Sequence, residues 1–406
     1  MRILFADTFP VPQIEKLQAR GYTCEQRAEL TAETLVDAIA GFDVLVVRST
    51  PVDRQALEAS DLRFVIRAGA GYNTIDVAAA SDRGIYVCNV PGKNAVAVAE
   101  LAFGLLLSID RKIPDNVADL RSRRWNKALY QRAPGLLGQR VGIVGLGAVG
   151  LEFAERAHAF GMQVHVLAKQ GRSEATQARL EAFGATYHDD LPTLAAACDV
   201  LSLHVPATPE TDGLLNAELL AHVRPGAVIL NTSRGNVIDE PALLAAIDQK
   251  DLRVGLDVYR NEPGTGEGDF TSALAQHPNV YGTHHIGAST DQAQRAIADE
   301  VVGMLAAFAA GQVRNVVNVD PLRGTSTLVV RHDNQVGVLA AVLKALRGAG
   351  INVEQMENRI FSGGRAAAAT IQISGSIDAA LASELEALEQ VIGIAIEHRP
   401  SSDSVR

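Results

Sequence analysis

The sequence predicts an α/β protein with two doubly wound parallel-sheet domains and a small ferredoxin-like βαββαβ unit at its end. Three observations lead there. Short apolar runs alternate with helix patterns over residues 1–90, and the same alternation restarts at Val141. A G-x-G-x-x-G turn, Gly145-Leu146-Gly147-Ala148-Val149-Gly150, stands in mid-chain rather than at its start. A stretch with clustered Asn, Pro and Gly, 315–324, precedes a last unit in βαββαβ order.

In the first stretch, 3–5, 44–47, 64–66 and 85–87 read as strands, with helices at 14–20, 31–40 and 75–82. That is a small flavodoxin-like sheet. Residues 95–109, rich in Ala and Leu, read as a long buried connecting helix. From Val141, strands at 141–144, 163–167, 200–204, 228–231, 253–256 and 280–282 make six, the count of a full Rossmann sheet. Residues 290–309 read as one helix returning to the first domain. The last unit has strands at 327–331, 351–358, 366–373 and 392–397 and helices at 336–347 and 377–388. The predicted domains are therefore 1–93 with 286–318, an inserted 94–285, a linker 319–325, and 326–398.

The glycine turn follows an apolar run and opens an amphipathic helix. In that context Gly145 permits the tight turn and Gly147 lets the backbone approach a pyrophosphate. Gly150 lets helix and strand pack, and the free N–H groups of the helix face the phosphates. The pattern predicts a dinucleotide cofactor; the plainer alternative is an ordinary βα turn.

A net charge of −10 over 406 residues argues against nucleic-acid binding, which needs a basic face. A local cluster of Arg can still hold an anionic substrate. Cys24, Cys88 and Cys198 are scattered and show no metal-ligand spacing, so reduced core thiols and a cytoplasmic setting are expected, with no metal. The N-terminus meets Asp7 and Pro10 before a signal-like core forms, and the longest apolar stretches are too short to span a bilayer.

Three strand-end segments carry reactive groups: 231–235 with Arg234, 257–263 with Asp257 and Glu262, and 283–289 with His284 and His285. In open α/β sheets the ligand crevice lies at the carboxyl ends of the strands. Oxidising an alcohol needs a base for the hydroxyl proton, and His suits neutral pH. A carboxylate beside the imidazole stabilises its protonated form. An Arg pairs with a substrate carboxylate and polarises the forming carbonyl. From spacing alone, a surface ion pair and a polar loop remain open alternatives.

The chain resembles the D-isomer-specific 2-hydroxyacid dehydrogenase family over nearly its whole length, and its phosphoglycerate dehydrogenase branch in particular. The segments that carry this are Val47-Arg48-Ser49, Arg67-Ala68-Gly69-Ala70-Gly71, Asn89-Val90-Pro91-Gly92-Lys93-Asn94, Ala99-Glu100-Leu101, Leu203-His204-Val205-Pro206 and the three segments above. The resemblance implies catalytic roles for Arg234, Glu262 and His285. It implies NAD contacts from Gly145, Gly147, Ala148, Val149, Gly150, Ala168, Lys169, His204, Val205, Pro206, Thr211, Thr232, Ser233, His285 and Gly287, with Asp257 holding the nicotinamide amide. Substrate would meet Arg48, Ser49, Ala70, Gly71, Asn94, Arg234 and His285. Arg67 and Lys93 are further phosphate candidates, as are Lys127 and Arg132 from a neighbouring copy. The implied reaction is oxidation of 3-phospho-D-glycerate to 3-phosphohydroxypyruvate, which opens serine synthesis. The alternatives are another D-2-hydroxyacid dehydrogenase, a glyoxylate or hydroxypyruvate reductase, and a dehydrogenase-like corepressor that senses nucleotide.

This sequence departs from the family pattern at four places. His284 stands where Pro is usual, and Tyr72 where small aliphatic residues are common. Residues 49–51 are one residue short. No acid ends the second Rossmann strand, where Ala168-Lys169-Gln170-Gly171-Arg172 stands, so NADP is also a candidate cofactor. The last unit resembles an ACT domain, with His332, Asn334 and Asn352 matching the serine-sensing version and Gln335-Val336 replacing its usual Arg-Pro. A serine effector and an association module without ligand are the two readings, in a homodimer or homotetramer.

Overall fold

The computed structural model describes residues 1–263, 267–319 and 325–398, the side chain of His398 excepted. A first sheet has five parallel strands in the order Thr23–Gln26, Arg2–Phe5, Val44–Val47, Phe64–Arg67, Tyr86–Asn89. That order is flavodoxin-like. Its central strands are buried on both faces, which is why Val44–Val47 is an unbroken apolar run. The edge strand Thr23–Gln26 is half-exposed and polar, so it carries no such run. The helix Asp291–Ala309 returns to this sheet: Ile297, Val301 and Leu305 share a core with Ile3, Phe5, Val44 and Phe64.

A second sheet has seven parallel strands, not the six predicted. The order is Val280–Gly282, Arg253–Leu256, Val228–Asn231, Val200–Leu203, Arg140–Val144, Gln163–Leu167, Thr186–His188. The extra strand Thr186–His188 is a three-residue edge of exposed and half-buried side chains, too short for a periodicity signal. Counted from Arg140–Val144, this is the Rossmann order with one more strand, and the order reverses between Arg140–Val144 and Val200–Leu203. Ligand crevices form at such a switch point. The helix Ala95–Arg111 buries Ala99, Phe103 and Leu106 against Phe153 and Ala157 of the helix Ala148–Ala159, so it serves as a core element of this sheet.

The chain divides into two compact units, Met1–Asn318 and Val319–Arg406. Most of the predicted linker, 320–324, lies outside the described residues. The second unit holds a four-stranded antiparallel sheet in the order Asn352–Ile360, Ala366–Ser374, Ser326–Asp333, Val391–His398. Helices Val338–Gly348 and Ala379–Glu386 bury Val342, Leu346, Leu381 and Leu385 against Leu328, Val330 and Ile371. The connectivity and order are ferredoxin-like. No helix among the described residues is long and apolar enough to cross a membrane.

Candidate active site

Two cavities meet at His285 in the first unit. One, of about 500 Å³, is lined by Val149, His204, Val205, Pro206, Thr232, Ser233, Arg234, Asp257 and Gly287, with Ala70, Gly71 and Tyr72 opposite. The other, of about 810 Å³, is lined by Arg48, Ser49, Arg67, Glu262, His284 and Gln294 among others. Asn94, His285 and Ala288 border both.

The first cavity fits a dinucleotide. Gly145 has φ +99°, and a Cβ there would stand 2.5 Å from the His204 carbonyl oxygen, so the switch-point loops approach too closely for a side chain. A Cβ on Gly150 would collide with the Gly145 carbonyl. Gly147 instead faces open space at the start of the twelve-residue helix, where a pyrophosphate would lie. The cavity also holds buried polar atoms without a protein partner, Thr232 Oγ1 and His204 Nδ1. Burial pushes the His204 imidazole down to about 3, so it is neutral, and its Nε2 bonds Ser202 Oγ at 2.8 Å. Thr211 does not line the cavity as expected. Its hydroxyl bonds the Pro206 carbonyl at 2.6 Å and shapes the loop, which places Thr208 at the wall instead.

Ala168 and Lys169 border a separate cavity with Gln170, Arg172, Gln177, Glu181 and Tyr187. No carboxylate stands at position 168 to repel a 2′-phosphate, and two cations are close. The Ala168→Asp variant is expected to raise the NAD-to-NADP preference in kcat/KM by about tenfold, since a carboxylate bonds the ribose hydroxyls and excludes the phosphate. An unchanged ratio would make Lys169 and Arg172 bystanders.

His285 and Glu262 form the expected pair, with Nδ1 2.6 Å from Oε2. Glu262 Oε1 also accepts the Tyr259 N–H at 2.8 Å. Burial alone would raise the Glu262 carboxyl, but the bonds from His285 and Tyr259 outweigh it and hold the group below the ordinary carboxylate range. His285 has φ +53°, a strained conformation for a residue with a Cβ. Asp257 imposes it. Its carbonyl accepts the His285 N–H at 2.8 Å, and its carboxylate accepts Thr283 Oγ1, Ile286 N–H and Gly287 N–H at 2.6–2.8 Å. Three bonds tie the Asp257 carboxylate to the histidine loop, so it positions His285 while it also lines the first cavity.

Two guanidinium groups lie across the glycine-rich loop. A Cβ at Gly69 would strike Arg67, and one at Gly71 would strike Arg234. Among the described residues the N–H groups of Ala70 and Gly71 have no protein acceptor, so they are free to bind a carboxylate. Desolvation brings Arg67 down to about 10, helped by the charges of Arg234 and Arg48 and opposed by Asp7. Arg67 Nε is buried without a partner. Desolvation also lowers Arg234, opposed by Glu262. Sequence reasoning missed Asp7, whose carboxylate gathers the N–H groups of Arg48, Ser49 and Thr50 at 2.6–3.3 Å and presents Arg48 to the second cavity. An acid two residues past the first strand is its only signal in the sequence.

Other candidates fall elsewhere. Lys93 pairs with Glu300 at 3.3 Å and lines neither cavity. Lys127 and Arg132 line neither one within a single chain. In the second unit the proposed effector residues do not converge. His332 is 2% exposed, with Nδ1 on the Asp333 carbonyl and Nε2 on Asn358 Oδ1. Asn334 donates to the Gly364 carbonyl and Asn352 to Glu354. The strand register puts Asn352 about seven residues, or about 23 Å, along the sheet from His332.

Residues 103–287 match the family model "D-isomer specific 2-hydroxyacid dehydrogenase, NAD binding domain". The chain is 36% identical over 323 residues to D-3-phosphoglycerate dehydrogenase of Methanocaldococcus jannaschii, covering 79% of this chain and 60% of that protein. It is 40% identical over 276 residues to hydroxypyruvate reductase of Thermotoga maritima, covering 67% and 87%. The crystal structure of the TT0316 protein from Thermus thermophilus superposes with a TM-score of 0.69 at 31% identity, covering 78% of this chain and all of that one.

Proposed function

We propose that this chain, which belongs to the D-isomer specific 2-hydroxyacid dehydrogenase family, oxidises 3-phospho-D-glycerate to 3-phosphohydroxypyruvate with NAD, the entry to serine synthesis. The observation that carries this is the second cavity. It holds Arg48 and the desolvated Arg67, and no carboxylate lies within ion-pair distance of Arg48, Arg67 or Arg234 among the described residues. A substrate with an anionic group at each end fits such a wall at one end and the Ala70–Gly71 amides at the other. Bound NAD supplies the hydride acceptor. His285 takes the hydroxyl proton on Nε2 while Nδ1 stays on Glu262, whose ionised carboxylate stabilises the resulting imidazolium. Arg234 holds the substrate carboxylate and polarises the carbonyl as it forms.

Hydroxypyruvate reduction is the second reading, favoured by the Thermotoga relative's name and by the 40% identity. A nucleotide-sensing corepressor would have no need of the intact His285–Glu262 pair. Measuring kcat/KM for 3-phospho-D-glycerate and D-glycerate decides. The phosphorylated substrate is expected to be favoured by about 100-fold, the worth of one or two charged hydrogen bonds. A ratio near one would shift the assignment to a non-phosphorylated hydroxy acid.

The domain roles follow as part of the same proposal: 1–93 with 286–318 hold substrate, 94–285 hold NAD, and 326–398 form an ACT module. We also assign a second copy to the arm 113–137, where the helix Ile113–Arg121 buries no residue and Trp125 and Leu137 are 80% and 86% exposed. Serine binding at the ACT module would need that copy to bring its Asn352 to this chain's Asn334, because His332 is sealed.

A further inference from the structure

The wall of the second cavity holds one polar group that the reaction described above does not use. His284 follows Thr283, whose hydroxyl is tied to Asp257, and precedes His285, whose N–H is tied to the same residue. Its backbone is therefore held from both sides. Its side chain is exposed and borders the second cavity together with Arg48, Ser49, Arg67 and Gln294. Among the described residues its ring has no hydrogen-bond partner, whereas the rings of His285 and His204, which line these cavities, each have one. Glu262, on the same wall, does not compete for it, since both of its oxygens are engaged by Tyr259 and His285.

We propose that His284 is a specificity-determining residue whose ring N–H binds the phosphate ester of the substrate, opposite Arg48 and Arg67. The chemistry suits a phosphate. A neutral imidazole offers one donor and a protonated one offers two, and a phosphate dianion stabilises the protonated form. Adjacent His284 and His285 thereby divide the work between the two ends of one molecule. His285 turns back at its positive φ to meet Glu262, and His284 borders the second cavity next to it. This role rests on a phosphorylated substrate.

The test compares kcat/KM for 3-phospho-D-glycerate and D-glycerate in the wild type, His284→Leu and His284→Lys. His284→Leu should lower the phosphorylated-to-plain ratio by about tenfold, the value of one charge-assisted hydrogen bond. His284→Lys restores a donor and a charge and should keep the ratio within about threefold of the wild type. If His284→Leu does not fold, His284→Pro removes the ring instead, and the His284 N–H donates no bond that proline would forfeit among the described residues. Equal losses on both substrates, or a lysine variant as poor as the leucine one, would overturn the role of His284 and leave the substrate assignment standing. A wild-type ratio near one would overturn the substrate assignment itself, and this role with it.

Discussion

His285→Ala should lower kcat by about two to four orders of magnitude, the usual contribution of a positioned general base. NAD affinity should change by no more than about threefold, because the glycine turn and the His204 loop do not rely on the ring. The strain at His285 sharpens the expectation. A positive φ at a residue with a Cβ persists only when its surroundings impose it, and here Asp257 imposes it through the backbone and carboxylate together. Alanine keeps the backbone bonds and loses only the imidazole, so the loss falls on chemistry rather than on folding. The pH dependence has a definite sign. Glu262 is held below the ordinary carboxylate range, so the pair is present at neutral pH and is lost only as pH falls through that lowered value. Unimpaired turnover in His285→Ala would remove the residue from the mechanism.

Arg234→Gln should reduce kcat/KM by about two to three orders of magnitude. Truncating a desolvated charge that pairs with a substrate carboxylate costs about 3–4 kcal/mol, and each 1.4 kcal/mol is about tenfold. Arg234→Lys should recover little, because the planar fork matches a carboxylate and a single ammonium does not. Steady-state kinetics with saturating NAD would check both variants. The Gly71 loop makes the effect local: the guanidinium lies where a Cβ on Gly71 would be, so a shorter side chain leaves a gap beside the free Ala70 and Gly71 amides. A loss confined to NAD affinity would place Arg234 on the cofactor instead.

The parts of the site that are legible in sequence are local in the chain. The glycine turn, Arg234 after the strand Val228–Asn231, and Glu262 before Pro263 each sit in a contiguous segment whose neighbours state the element type. The switch-point crevice is legible once strand order is assumed from that turn. What stays hidden depends on long-range pairing. Asp7 meets Arg48 and Ser49 across some forty residues, and nothing in either segment announces the other. Asp257 lines the first cavity, as its place after a strand implies, but its bonds to the loop 283–287 leave no trace in the sequence. Lys93 reads as a substrate cation until the returning helix brings Glu300 beside it. Edge strands such as Thr23–Gln26 and Thr186–His188 are short and polar because half of each faces solvent, so periodicity does not reveal them. His332 illustrates the opposite error: a polar match to a motif, buried and satisfied inside its own sheet.

Hydride should leave C2 of a D-configured 2-hydroxy acid at the junction of the two cavities, with His285 taking the proton. The most direct measurement follows the label. The enzyme with NAD would be given 3-phospho-D-glycerate deuterated at C2, and the reduced cofactor examined by NMR. The expected result is deuterium at C4 of the nicotinamide, formed from the D isomer and not the L isomer, and no transfer in His285→Ala above about one hundredth of the wild-type rate. Reduced cofactor without deuterium, or equal transfer from both isomers, would contradict it.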